Sequence, residues 1–338
     1  MNILAVESSC DETAVAIVRD GRDVLCDCIA SQVDLHRMYG GVVPEIASRK
    51  HIDAIYGLAD QALQQTGLTR SDIDAVAVTY APGLIGAVLV GVNFAKSAAM
   101  AMNKPLIPVH HIRGHIAANY IAYPDLKPPF LCLVVSGGHT MIIEVKDYTD
   151  MRILGTTLDD AAGECFDKGG RVLGMPYPGG AALDKAAQQG DETKYSLPVA
   201  KPGENPYNMS FSGLKTATLN LIHHAEQVGE ELDIPSLCAS FTAAVSETLV
   251  PRVVRALQET GYRKVAVAGG VAANSRIRAD ILAAAQKLGA EVYMPPLKLC
   301  GDNGAMIGSQ AYYEYLAGNV ADMSLNAYAT KSILGETV

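Results

Sequence analysis

The chain has 338 residues, of which 49% are hydrophobic and 19% charged, so it is long and apolar enough for two packed lobes. Its net charge of −9 argues against binding nucleic acid over a broad face by the chain alone, although a local basic patch or a basic partner stays open. The cysteines are scattered without a C-x-x-C pair, and the most apolar window, 84–102, is broken by Gly, Asn and Lys. Together these argue against a disulfide framework and a membrane span, and predict a cytoplasmic protein.

The same β-hairpin pattern occurs twice along the chain, once at its start and once near its middle. Polar turns at 7–13 and 136–140 each lie between two apolar stretches that predict strands. The predicted strands are at 2–6, 14–18, 130–135 and 141–145. This repetition predicts an α/β protein with two similar halves.

Later segments alternate between strand and helix. A strand at 264–268 runs into Gly269 and Gly270 and then a helix from about 275 to 288, a plan that lets the backbone approach a nucleotide. Other helical patterns lie at 51–65, 236–260 and 303–316. The segment 196–208 is rich in Pro and polar residues and predicts a long loop.

His111 and His115 are four residues apart, which places both on one face of a helix and lets two imidazoles bind one metal ion. The spacing resembles the HExxH helix of zinc proteases. Such a protease needs a Glu after the first His as general base, and this chain has Ile112 there. The pair therefore indicates a metal site without peptidase chemistry, or else two histidines that cap or hydrogen-bond within their helix.

The polar tip of the second hairpin has the composition of a phosphate-binding turn. Gly137 and Gly138 let successive N–H groups converge on an anion, and Ser136 and Thr140 add hydroxyl donors. Taken singly, the stretch is more typical of an ordinary hairpin turn than of a phosphate site. Its occurrence alongside the first hairpin and the later Gly-Gly turn favours a nucleotide cleft between two lobes.

Several motifs in this order resemble those of the TsaD/Kae1 family, within the ASKHA superfamily of acetate and sugar kinases, Hsp70 and actin. The resemblance covers nearly the whole chain and looks like the bacterial form. The motifs that carry it are at 7–13, 40–45, 82–84, 110–115, 135–140, 159–164, 177–180, 211–216, 269–274 and 302–306. It implies two duplicated ASKHA lobes, with mixed sheets flanked by helices and a nucleotide cleft between them.

The resemblance implies a reaction on tRNA. Family members transfer the threonylcarbamoyl group from threonylcarbamoyl-AMP to N6 of adenosine 37 in tRNAs that read codons beginning with A, which forms t6A and releases AMP. The competing interpretations are an ASKHA-type kinase or ATPase acting on a small molecule, a metallopeptidase, and a non-catalytic scaffold.

The resemblance also implies a metal centre. His111, His115 and Asp302 match the family's metal ligands, and the ion is expected to be Fe²⁺, although Zn²⁺ suits the same ligands.

A carboxylate that accepts the proton of the attacking amine would help the reaction. Asp11 and Glu12, at the tip of the first hairpin, are the candidates.

The donor-binding residues are inferred by the same resemblance. The segment that lines the phosphate and acyl end of the donor corresponds to Val134, Val135, Ser136, Gly137 and Gly138. Asp167, Gly180 and Asp184 match positions beside the ribose, and Asn274 matches an adenine contact. Without the resemblance, the two aspartates are ordinary helix-end carboxylates and Asn274 is a helix N-cap.

Partners and domain bounds complete the expectations. The resemblance implies binding of a tRNA anticodon loop, of the paralogue TsaB through the N-terminal lobe, including parts of 36–65, and of the ATPase TsaE. Basic residues that could form a local tRNA-binding patch are Arg37, Arg49, Lys50, Arg113, Lys168 and Arg171.

We expect an N-terminal lobe at 1–108, completed by a helix at about 303–325, and a C-terminal lobe at 109–302 that includes the metal-binding helix at 111–115.

Overall fold

The computed structural model describes residues 1–201 and 203–334. The chain divides into two compact units. The first contains residues 1–128, 146–151 and those from 295 onward, and the second contains residues 129–145 and 152–294. Each unit is built around one five-stranded sheet.

The sheet of the first unit has the strand order β3-β2-β1-β4-β5. Strands β1 and β2 pair antiparallel, as do β2 and β3, whereas β4 and β5 continue the sheet in parallel with β1. The bounds are β1 Asn2–Glu7, β2 Glu12–Arg19, β3 Asp23–Ser31, β4 Ala75–Ala81 and β5 Leu106–His110. Because β1 is central and buried on both faces, its sequence is a nearly continuous apolar run.

The sheet of the second unit repeats this arrangement in the order β10-β9-β6-β7-β8. Strands β6 and β7 form the antiparallel hairpin, and β9 and β10 extend the sheet in parallel with β6. The bounds are β6 Phe130–Val135, β7 Thr140–Val145, β8 Met151–Thr156, β9 Lys264–Ala268 and β10 Glu291–Tyr293. The correspondence of β1 with β6 and of β4 with β9 confirms the predicted duplication and the α/β class.

Helices flank the sheets and begin and end at residues suited to those positions. The bounds are α1 Val33–Arg37, α2 Pro44–Thr66, α3 Ile85–Met102, α4 His111–Ala122, α5 Ala162–Val172, α6 Gly179–Ala187, α7 Ser212–Val228, α8 Ile234–Thr260, α9 Ser275–Lys287 and α10 Gly304–Leu316. Helix α2, for example, begins at Pro44 and ends before Gly67, whose φ of 67° is left-handed. The predicted helices at 51–65, 236–260 and 303–316 are confirmed, and the described part of 196–208 forms neither helix nor strand.

Helices α3 and α8 are long and apolar enough to cross a membrane by length and composition. Most of α8 is buried inside the second unit, as expected of a core helix. Helix α3 buries one face, including Val88 and Val92, in the core of the first unit. The same test is passed by core helices of soluble proteins, so it is weak evidence for a membrane span.

The unit bounds differ from the expected lobes. Helix α4 lies in the first unit, because it packs against α10 and continues directly from β5. Helix α10 ends at Leu316 instead of extending to about residue 325. Gly318 has a φ of 80°, a left-handed conformation that ends the helix.

Candidate metal centre and donor-binding turns

The parallel strands of the first unit end beside one another and place polar side chains at one edge of the sheet. Glu7 is the last residue of β1, Thr79 lies near the end of β4, and His111 begins α4 directly after β5. All three side chains are buried. Strand order therefore creates a polar pocket at this edge before any ligand is considered.

His111, His115 and Asp302 form a group whose ligand atoms all lie within 4.8 Å of one another. Oδ1 of Asp302 is 3.5 Å from Nε2 of His111 and 3.2 Å from Nε2 of His115. Within the described residues, neither ring nitrogen of the buried His115 makes a hydrogen bond, and Nε2 has only the ion-pair contact with Asp302. A buried nitrogen without a partner is costly in a protein interior, and a metal ion would supply the missing interaction. The sequence thus predicted a set of residues that the fold does bring together, and this set fits a metal ion.

The charges around His111 favour a cation at this position. Burial acts to lower the pKa of His111, but the carboxylates of Asp302 and Glu7 outweigh that effect and raise the pKa to about 9. Burial would also raise the pKa of Glu7, yet the neighbouring His111 holds that pKa below its usual value. The pocket is therefore built to surround positive charge.

The turn between β1 and β2 brings further acids to this edge. Asp11 is buried, and the hydroxyl of Ser31 donates to Oε1 of Glu12 at 3.0 Å. Burial, together with the charges of Asp11 and Asp302, raises the pKa of Glu12 to about 9. The surroundings of Glu12 therefore favour its protonated form.

His51, on helix α2, hydrogen-bonds to the same turn, and no sequence motif predicts this role. Its Nε2 donates to the carbonyl of Cys10 at 2.9 Å, and its Nδ1 accepts from the hydroxyl of Thr13 at 2.7 Å. The ring is fully buried, and burial lowers its pKa despite nearby acids. No local sequence signal marks this contact, since the partners are about 40 residues away along the chain.

The second unit contains the predicted phosphate-binding turn. Gly137 and Gly138 are exposed at its tip, whereas the side chains of Val134 and Val135 are fully buried in the sheet. Any contact of those two valines with a ligand must therefore use their backbone. The carbonyl of Ser136 accepts from the N–H of Gly163 at 3.1 Å, which holds the turn against the start of α5.

Asp167 and Asp184 each accept a hydrogen bond from the first residue of another helix. Oδ1 of Asp167 accepts from the N–H of Gly179 at 2.8 Å, at the start of α6 and next to Gly180. Asp184 accepts from the N–H and the hydroxyl of Ser275, at the start of α9. Oδ1 of Asn274 accepts from the N–H of Ile277 at 3.0 Å as the N-cap of the same helix. The fold thus brings Asp184 beside Asn274, and Asp167 beside Gly180, as two separate pairs.

A cavity of about 300 Å³ adjoins the pair formed by Asp184 and Asn274. Its lining includes Asp184, Ser275, Arg276 and Thr242. It lies at the N-terminus of α9, where the helix dipole favours anionic or polar groups. This cavity is large enough to admit part of a small polar ligand.

The basic residues that could form a tRNA-binding patch differ in their surroundings. Arg113 is internal, since its guanidinium donates to Glu314 at 2.8 Å and to the carbonyl of Ile333 at 2.9 Å. Arg37, Arg49 and Lys50 are exposed on the surface and each pairs with an acid three or four residues away. Such exposed pairs are weak and leave a side chain available to a phosphate, whereas Arg113 is held in the interior.

Comparison with known proteins decides the family. Residues 23–309 match the model of the family described as "TsaD: tRNA N6-adenosine threonylcarbamoyltransferase". The chain belongs to the TsaD family. A tRNA N6-adenosine threonylcarbamoyltransferase of Moorella thermoacetica is 55% identical over 326 residues, which cover 96% of this chain and 95% of the relative. One of Clostridium botulinum is 51% identical over 327 residues, covering 97% of this chain and 96% of the relative.

Solved structures support the fold assignment at much lower sequence identity. HypF of T. kodakarensis is 16% identical with a TM-score of 0.64, covering 96% of this chain and 49% of HypF. Component A of the (R)-2-hydroxyglutaryl-CoA dehydratase of Acidaminococcus fermentans is 15% identical with a TM-score of 0.53, covering 94% of this chain and 98% of that protein. Such likeness concerns the fold alone, and the ASKHA fold predicted for this TsaD family member is confirmed.

Proposed function

We propose that this chain transfers the threonylcarbamoyl group from threonylcarbamoyl-AMP to N6 of adenosine 37 in tRNAs that read codons beginning with A, forming t6A and releasing AMP. The observation that carries this proposal is the match to threonylcarbamoyltransferases at 51–55% identity over nearly the whole chain. The His111, His115 and Asp302 group supports the proposal because it offers a metal site of the kind that acyl transfer can use.

His111, His115 and Asp302 are proposed to hold one Fe²⁺ ion, with Zn²⁺ as the alternative. Two imidazoles and one carboxylate suit either ion and leave coordination positions open. A bound ion at this site acts as a Lewis acid toward phosphate or acyl oxygens. Metal analysis of the protein purified without oxygen distinguishes the ions, and the His111→Ala/His115→Ala variant is the control that should contain neither.

The second unit is proposed to bind the nucleotide part of the donor. Exposed N–H groups at Gly137 and Gly138 suit a phosphate, and the backbone of Val134 and Val135 leads into that turn. Asp167, Gly180 and Asp184 are proposed to lie beside the ribose, and Asn274 beside the adenine. Asn274 then has two roles, since it also caps α9.

The attacking exocyclic amine is a poor nucleophile, so positioning and charge stabilisation must supply most of the rate. A carboxylate that accepts the amine proton adds to this. Glu12 keeps its own proton at neutral pH because its pKa is raised to about 9. We therefore assign proton acceptance to Asp11 and hydrogen-bond donation to Glu12.

Partners are proposed to compensate for the acidic net charge. The anticodon loop of tRNA is the substrate, TsaB is expected to bind the first unit, and TsaE is expected to join this assembly. Helices α2 and α3 offer an apolar surface for TsaB, since Ile52, Tyr56, Ile85 and Met100 are more than half exposed. A cavity of about 200 Å³, lined by Tyr56 and other residues of both helices, forms a depression in this surface.

A charge placed on that surface tests the TsaB assignment. Tyr56→Asp should abolish co-elution with TsaB in size-exclusion chromatography, because it puts a carboxylate into an apolar contact. Leu282→Asp, on the exposed side of α9 in the second unit, is the matched control and should leave co-elution unchanged. Normal co-elution of Tyr56→Asp would move the TsaB contact elsewhere.

A cytoplasmic location follows from this proposal, because tRNA is the substrate and no disulfide joins the cysteines, all of which lie in the described residues. The metallopeptidase alternative is not favoured. Ile112 stands where the general base of such an enzyme would be, and its side chain is a buried hydrocarbon.

The reaction itself is tested by incubating the purified chain with threonylcarbamoyl-AMP and unmodified tRNA, with and without TsaB and TsaE. Nucleoside mass analysis should detect t6A in the complete mixture. The His111→Ala/His115→Ala variant should make at least about a hundred-fold less, because loss of a catalytic ion removes several kcal/mol of charge stabilisation. Equal yields from the variant would exclude a catalytic metal at this site.

A further inference from the structure

Glu7 is a carboxylate placed where carboxylates are rare. Its side chain is fully buried at the end of the central strand β1. An ionised carboxylate is costly to bury unless hydrogen bonds and a charge partner compensate for lost hydration. Its surroundings should therefore show what this residue is for.

Each oxygen of Glu7 accepts a hydrogen bond that the fold fixes. Oε1 accepts from the backbone N–H of Ser9 at 2.5 Å, and Oε2 accepts from the hydroxyl of Thr79 at 2.6 Å. Nδ1 of His111 lies 2.9 Å from Oε2. Since β1, β4 and β5 are hydrogen-bonded neighbours, the sheet itself sets the spacing of these groups.

The contact with Glu7 determines which nitrogen of His111 faces the metal pocket. An ionised carboxylate has no proton to donate, so Nδ1 must carry the hydrogen of this bond. The hydroxyl of Ser9, 3.1 Å from the same nitrogen, is compatible with this arrangement. Nε2 is then the nitrogen left for a ligand bond, and it is the one that faces Oδ1 of Asp302.

We propose that Glu7 is the positioning residue of the metal centre, because it holds His111 in the Nδ1–H tautomer and the ring orientation that present Nε2 to the ion. This inference rests on the metal centre proposed above. Carboxylates that accept from the second nitrogen of a ligating histidine fix its orientation and increase its basicity. His111 is thereby the preorganised ligand, whereas His115 has no such support within the described residues.

The Glu7→Gln variant tests the proposal by metal affinity, with no need for catalysis. Wild-type and variant proteins are titrated with Zn²⁺ alone in competition with a chromophoric chelator. We expect Glu7→Gln to bind Zn²⁺ about 10- to 100-fold more weakly, the usual effect of losing such a support. The control is Glu144→Gln, which changes a buried carboxylate that bonds to Arg152 and Tyr262 in the second unit, and it should bind like the wild type.

Nitrogen NMR of the ¹⁵N-histidine-labelled wild type in the presence of Zn²⁺ decides the question even if Glu7→Gln does not fold. The proposal predicts that Nδ1 of His111 is protonated and that Nε2 has the shift of a zinc-bound nitrogen. A zinc-bound Nδ1, or a folded Glu7→Gln with wild-type affinity, overturns the role of Glu7 alone. A wild type that binds neither Zn²⁺ nor Fe²⁺ overturns the metal centre as well, and the t6A assay separates either result from failure of the transferase proposal.

Discussion

Asp11 and Glu12 are adjacent acids, and the surroundings of Glu12 raise its pKa. Both lie in the turn after β1, yet burial and the charges of Asp11 and Asp302 keep Glu12 protonated at neutral pH. From sequence alone the two were equivalent candidates. The raised pKa of Glu12 comes from burial and from charges that include Asp302, a residue remote in the chain, while the hydrogen bond from Ser31 acts in the opposite direction.

Amide substitutions at these two positions should therefore have unequal effects. Asp11→Asn should lower the rate of t6A formation by about 10² to 10⁴, because it removes the proton acceptor. Glu12→Gln resembles the protonated acid and should lower the rate less than about tenfold. Single-turnover rates with saturating donor are the measurement, and a larger loss in Glu12→Gln than in Asp11→Asn would reverse the assignment.

His51 gives the fold a specific dependence on pH. Its pKa is lowered chiefly by burial, against the opposing influence of the Cys10 carbonyl, Glu7 and Asp11, while His36 adds to the lowering. Below about pH 6.5, the ordinary pKa of a histidine, His51 binds a proton in the unfolded chain but stays neutral in the folded protein until the pH is lower. The His51 contribution to stability is therefore complete above that pH and is lost as the pH falls toward the lowered pKa.

The measurement is the free energy of unfolding between pH 7.5 and pH 5, taken for the wild type and for His51→Gln. His51→Gln should be less stable at pH 7.5, because the new side chain replaces two good hydrogen bonds in a buried site. Its stability should also fall less steeply with acid than that of the wild type. Parallel curves would show that His51 does not titrate between the folded and unfolded states in this range.

At the scale of elements, helix α10 approaches the first sheet more closely than a side chain would allow. A Cβ on Gly304 would lie 2.7 Å from the backbone nitrogen of Ala16 and 2.9 Å from its Cβ. Gly304 also follows the proposed ligand Asp302 by two residues. This glycine therefore sets both the packing of α10 and the position of a ligand.

Gly304→Ala should lower the free energy of unfolding by about 1–3 kcal/mol, because the helix must move away from β2 to admit the methyl group. The matched control is Gly57→Ala, in the exposed interior of α2, where no atom of the described residues lies within 4 Å of the added Cβ. That change should stabilise the protein by about 0.5–1 kcal/mol through helix propensity. Urea unfolding measures both, and a Gly304→Ala as stable as the wild type would contradict the close packing.

The elements that the sequence predicts well are those whose signal is local. Both hairpins, the strand at 264–268 and the long helices follow from apolar runs and periodicity, and all are confirmed. The helical pattern at 303–316 matches α10, whereas the extension of this helix to about residue 325 in the expected lobe bounds was too long, because the left-handed Gly318 ends the helix. The strand order and the placement of α4 depend on packing between distant segments, which periodicity does not encode.

The site divides in the same way. His111 and His115 were predicted by spacing within one helix, but Asp302 was added by resemblance to a family. The supports Glu7, Thr79 and His51 act through contacts across 38 to 104 residues of chain. A polar residue at the end of a buried strand, as at Glu7 and Thr79, is the signal that would have found two of them.

At the scale of the whole molecule, the same sheet topology positions a different candidate site in each unit. The ends of β1, β4 and β5 carry the candidate metal centre in the first unit, while the ends of β6 and β9 carry the glycine turns in the second. The family assignment indicates acyl transfer to tRNA, and the His111, His115 and Asp302 group adds a site that could hold a metal ion. The nucleotide cleft predicted between the lobes stays a prediction.

The most direct test of this account is the t6A content of unmodified tRNA after incubation with the chain, threonylcarbamoyl-AMP, TsaB and TsaE, before and after removal of metal by a chelator. We expect t6A at adenosine 37 in the untreated reaction, loss of the product after chelation, and its return when Fe²⁺ is restored. An absence of t6A with every component and the metal present would contradict the transferase assignment. Undiminished t6A from the metal-free protein would leave the transferase standing and remove the metal from its mechanism.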